Sequence, residues 1–62
     1  MNENWNRVQE LIETLENEDR QYSVIKNTDG NYVLESEQRR VLITDNVQWV
    51  ISTLEEIVSI LY

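Results

Sequence analysis

Few side chains in this sequence could take part in making or breaking bonds. Histidine and cysteine are both absent. That removes the commonest acid–base group, imidazole metal ligands, thiolate nucleophiles and disulfides. Carboxylates are adjacent at Glu18-Asp19 and at Glu55-Glu56. A general acid–base pair needs two groups aimed at one substrate from a pocket that shifts their pKa values. Successive residues of a helix point in different directions instead. Asp29-Gly30-Asn31 opens like a calcium loop but lacks the later ligands. Gly30 is the only glycine, so no glycine-rich phosphate loop exists. Serine and threonine hydroxyls have no base to activate them. These residues predict a protein that is not an enzyme, with no catalytic, metal-binding or cofactor-binding residues and no cofactor.

Recognition remains. Twelve acids against five bases leave a net charge of −7. This opposes direct contact with nucleic-acid phosphates or anionic lipid, which need Lys and Arg. It favours a basic protein partner, and solubility is the other use of such charge. Arg39-Arg40 is too small for a nucleic-acid footprint and is expected to pair with Glu35, Glu37 and the helix acids. The candidate partner-binding acids are Glu10, Glu13, Asp29, Glu35 and Glu37. Such a spread could imitate a phosphate array and block a basic groove. A solvated helix face explains the helical acids equally well.

The elements that must position these groups follow from periodicity. From Glu3 to Asn17, the residues Trp5, Val8, Leu11, Ile12 and Leu15 recur at helical spacing, with Asn2 or Asn4 as the cap. Tyr22–Lys26, Tyr32–Glu35 and Arg39–Thr44 are rich in β-branched and aromatic residues and read as strands. Asn27-Thr28-Asp29-Gly30 predicts a type I turn with a bulge at the glycine, pairing Asn27 with Asn31. Ser36-Glu37-Gln38-Arg39 is a weaker turn signal. Thr44, Asp45 or Asn46 caps a last helix whose apolar stripe is Val47, Val50, Ile51, Leu54, Ile57, Val58 and Leu61.

The expected fold is therefore α+β, a single compact domain spanning residues 1–62: helix, three-stranded antiparallel meander, helix (αβββα). A chain this short buries too little surface for a wide stability margin, so close packing or self-association must add to it. Absence of cysteine fits the cytoplasm, no apolar run approaches a membrane span, and the polar start Met1-Asn2-Glu3-Asn4-Trp5 is unlike a secretory leader.

Strand alternation predicts which faces are left over. With Asn27 opposite Asn31, Tyr22 and Val24 share a face with Tyr32 and Leu34. If Ser36 pairs with Arg39, Val41 and Ile43 join that core face. The other face then carries the row Ile25, Val33 and Leu42, beside a Glu35–Arg40 cross-strand ion pair. On the last helix, Trp49 and Ile60 lie off the core stripe at heptad-like spacing with Thr53 and Glu56 between them. Trp49, Ile60, Ile25, Val33 and Leu42 are thus the candidate apolar interface, for a partner or for a homodimer. A covering helix or loop is the alternative for Trp49.

The stretch Asp29-Gly30-Asn31-Tyr32-Val33-Leu34-Glu35-Ser36-Glu37, between an acidic helix and an amphipathic one, resembles the hairpin region of type II anti-CRISPR proteins. That resemblance implies a small acidic α/β inhibitor, phage-encoded, occupying the PAM-reading groove of Cas9 as a DNA mimic. Asp29, Glu35 and Glu37 are the matching acids. The expected role is an inhibitor or regulator of a basic nucleic-acid-handling protein, and a homodimeric accessory domain is the alternative.

Overall fold

The computed structural model describes residues 3–61. They form α1 (Glu3–Asn17), β1 (Tyr22–Lys26), β2 (Tyr32–Ser36), β3 (Arg40–Thr44) and α2 (Val47–Leu61). This is the expected αβββα order. The antiparallel sheet runs β1-β2-β3, and both helices cover the same side of it.

Helix α1 buries Val8, Leu11 and Leu15. Asn2 lies outside the described residues. Asn4 is inside the helix rather than at its cap, and its Oδ1 accepts a hydrogen bond from Gln48 Nε2 at 3.0 Å. The helix ends in a Schellman motif: Arg20 N–H donates to the Leu15 carbonyl at 2.8 Å and Asp19 N–H to that of Glu16 at 3.0 Å. Asp19 takes the left-handed position, with φ 62°, where glycine would avoid the Cβ penalty.

Helix α2 is capped by Asn46. Its Oδ1 accepts from Gln48 N–H at 2.9 Å, and its carbonyl accepts from Trp49 N–H at 3.0 Å. Thr44 Oγ1 in turn accepts from Asn46 N–H at 3.1 Å. Val50, Ile51 and Leu54 go inward. They meet Val8, Leu11 and Leu15 of α1 over Leu34 of the sheet, and Tyr22, Val24, Tyr32 and Leu42 close the cluster from below. The Trp5 and Tyr32 rings are 6.2 Å apart, and Lys26 Nζ stands 5.5 Å from the Tyr32 centroid.

The first hairpin is as expected. Gly30 N–H donates to the Asn27 carbonyl at 3.1 Å, Asn27 N–H to that of Asn31 at 2.8 Å, and Gly30 has φ 92°. Val24 faces Leu34 and Ile25 faces Val33.

The second hairpin corrects the expected faces. Ser36 does pair with Arg39, through an N–H to carbonyl bond of 2.9 Å. The register then slips at a bulge between Leu34 and Glu35: Glu35 opposes Arg40, Leu34 opposes Leu42, and Val41 is the extra residue. Leu42 therefore packs against the core instead of joining the outer row. Ile43 takes its place opposite Val33 and is half-exposed. Val41 lines an open cleft with Tyr22 and Ile57 on the helix side. The turn supplies the reason. Two-residue hairpin turns match strand twist when their central residues adopt positive φ. Neither Glu37 nor Gln38 does so, and an added residue restores the twist.

Candidate interaction surfaces

Of the five acids, Glu10 and Glu13 lie on the exposed side of α1. Glu35 is on β2, opposite Arg40. Asp29 and Glu37 sit in the turns at opposite ends of β2. The five do not share one surface. Asp29 is also engaged locally: its Oδ1 accepts from Asn31 N–H at 3.2 Å, the bond expected of Asp in such a turn.

A different grouping appears when charge is divided by layer. The two helices hold six acids, Glu3, Glu10, Glu13, Glu16, Glu55 and Glu56, against one base, Arg7. That is five of the seven net negative charges of the chain. All six acids are exposed. Arg7 is committed: its Nη2 donates to Glu55 Oε2 at 3.0 Å and its Nη1 stands 3.7 Å from Glu10 Oε1. The Glu55 hydrogen bond raises the guanidinium above its ordinary pKa, against a smaller desolvation effect. Strands, turns and links hold the remaining acids almost balanced by Arg20, Lys26, Arg39 and Arg40.

The expected Glu35–Arg40 ion pair does not form. The two residues oppose each other in the sheet, yet their side chains form no ion pair with each other. Solvated side chains gain little by holding one geometry, and the adjacent bulge skews the strand that carries Arg40.

The apolar candidates separate into two surfaces. Trp49 is 61% exposed and Ile60 78% exposed, so neither α1 nor a loop covers them. They belong to the helix layer. Ile25 and Val33 are on the uncovered side of the sheet, with Ile43 where Leu42 was expected. Val33 itself is only 8% exposed, shielded by flanking side chains.

Sequence reasoning missed a cleft of about 370 Å³ between the α1–β1 link and the second turn. Arg20, Arg39, Asp19 and Glu37 line it around Tyr22 and Ile57. Charges of both signs alternate there, so it selects neither anion nor cation. Its residues come from four separate stretches, and no local pattern marks them. Among the described residues no polar or charged side chain is buried and no three carboxylates converge on a cation-sized site. No helix among them is long and apolar enough to cross a membrane. Comparison of the chain with protein families, with characterised proteins and with solved structures finds no match.

Proposed function

We propose that this protein acts by binding another protein through its helix layer, as a small acidic inhibitor or regulator of a basic nucleic-acid-handling partner. One observation supports this above the rest: the layer that concentrates the negative charge also exposes Trp49. A face that serves solubility alone gains nothing from an exposed indole, whereas tryptophan is enriched at binding hot spots. Trp49 and Ile60 supply apolar anchors, and Glu10, Glu13 and Glu56 supply charge that steers a basic groove toward them. In this reading the acids stand where phosphates would, and the partner's usual ligand competes for the same groove. The expected matching acids Asp29, Glu35 and Glu37 fall outside this layer and have no part in it.

Capture by the immobilised protein from the heparin-binding fraction of a cell extract tests the reading. Bound protein should be abundant at about 50 mM salt, fall steeply by about 0.5 M, and be released by added duplex DNA. The double substitution Glu10→Lys with Glu13→Lys, and Trp49→Ala alone, should each reduce capture. Capture indifferent to salt, to DNA and to both variants would overturn the proposal.

A further inference from the structure

The tip of the first hairpin places a carboxyl group next to a backbone nitrogen that no side chain shields. Of the three aspartates, only Asp29 precedes a residue without a side chain, Gly30. Both residues are exposed. Apart from the chain neighbours of Gly30, no atom stands within 4 Å of where its Cβ would be. Asp19 and Asp45 precede Arg20 and Asn46 instead, whose side chains crowd the following nitrogen.

We propose that Asp29-Gly30 is a self-modification site, at which aspartate converts to isoaspartate when the first hairpin opens. The Gly30 nitrogen bonds to Asp29 Cγ and gives up its proton. The protonated carboxyl loses an oxygen as water, and a succinimide ring closes. Water then opens the ring. Attack at Cγ restores aspartate. Attack at the main-chain carbonyl leaves the chain running through Cβ and Cγ, as isoaspartate. Water is the sole co-reactant, and the mass of the chain does not change.

The closed hairpin holds this reaction off. Ring closure needs Cβ and the Gly30 nitrogen eclipsed about the Asp29 Cα–C bond. The third position of a type I turn has ψ of about 0°, which keeps those two atoms roughly 120° apart. The reacting groups are also engaged. Gly30 N–H donates to the Asn27 carbonyl at 3.1 Å, and the Asp29 carboxylate accepts from Asn31 N–H at 3.2 Å and from Asn31 Nδ2 at 3.4 Å. Turning the Cα–C bond pulls these contacts apart together with the Asn27–Asn31 pairing. The reaction therefore follows local opening of the hairpin, which needs less free energy than global unfolding.

The product does not fit the turn it came from. Isoaspartate adds one carbon to the main chain at the tip, and the turn geometry that sets Asn27 opposite Asn31 is lost. Each modified molecule loses the register that fixes the faces of β1 and β2. The fold thus limits its own lifetime, independently of the helix layer used in the proposed function.

Incubation of the full chain at one mildly acidic pH and one temperature, in native buffer and in urea, tests the proposal. Trypsin, cutting after Lys26 and Arg39, releases the tip peptide. Isoaspartate appears there as a shifted chromatographic retention at unchanged mass. It should form about tenfold or more faster in urea. Leu34→Ala, which loosens the hold of the core on β2, should speed it in native buffer and leave the urea rate unchanged. If that variant does not fold, its rate in native buffer should equal the urea rate. Gly30→Ala should slow the reaction in urea. The purified isoaspartyl form should melt below the wild type. No isoaspartate in urea, equal wild-type rates in the two solvents, a native rate unmoved by Leu34→Ala, a urea rate unmoved by Gly30→Ala, or an isoaspartyl form that melts like the wild type would each overturn the proposal.

Discussion

Each side of the sheet carries a cross-strand apolar row, and the two rows have opposite fates. On the inner side Leu34 is fully buried, with Val24, Leu42 and Tyr32 around it and both helices above. On the outer side Ile25, Val33 and Ile43 make a row of comparable hydrophobicity with no described element above it. Val33 and Leu34 are consecutive, and both count as buried. Their burial differs in kind. Leu34 is enclosed by the six helix residues of its cluster, drawn from α1 and α2, while Val33 is merely flanked by its cross-strand neighbours. Low exposure therefore does not identify the core of a small domain; the number of elements converging on a residue does.

The sharpest way to break this comparison is to truncate both residues. Leu34→Ala should cost about 3–4 kcal/mol, through lost transfer energy and the cavity left behind. Val33→Ala should cost about 1–1.5 kcal/mol, since its surroundings can close toward solvent. Urea denaturation of the two variants reads the difference, and equal losses would mean that the outer row is a second core.

The next pair tests the bulge itself. Leu42→Ala should cost about 2 kcal/mol and Ile43→Ala less than about 1 kcal/mol. The reverse order would place Ile43 inside and abolish the register slip. A smaller effect is expected at the turn that aligns β1 with β2. Gly30→Ala meets no atom within 4 Å, so its cost of about 1 kcal/mol is the backbone strain of a positive φ alone. Asp19→Gly should act in the opposite direction. It relieves the left-handed strain where α1 hands over to the sheet and should raise stability by about 0.5 kcal/mol, visible as a small upward shift in Tm.

Most of the fold was legible because the local signals agreed. The helical stripes of α1 and α2 have no competing period. Asp29-Gly30 marks a turn of known geometry, so the faces of β1 and β2 followed from it directly. The bulge at Val41 was not legible. No Gly, Asn or Asp stands at Glu37-Gln38 to announce a turn type, and the slip depends on how strand twist is reconciled across the hairpin. One unmarked residue therefore exchanged Leu42 and Ile43 between the two sides. For the candidate site, Trp49 and Ile60 were legible as residues off the core stripe. The gathering of acids on one layer was not, because Glu55 and Glu56 are about forty residues from Glu13 and Glu16 in sequence. Parity with Arg40 suggested an ion pair for Glu35, whereas solvation and side-chain entropy decide whether one forms.

The bulge in β3 has a consequence beyond assigning side chains. This strand lies at the margin of the sheet, where a row of backbone amides and carbonyls would otherwise template the addition of foreign strands, as in amyloid growth. A kink at Val41, near the start of that row, breaks the even spacing an incoming strand requires. The residue that makes Leu42 part of the core thus also blunts the flank of a chain too small to hide it.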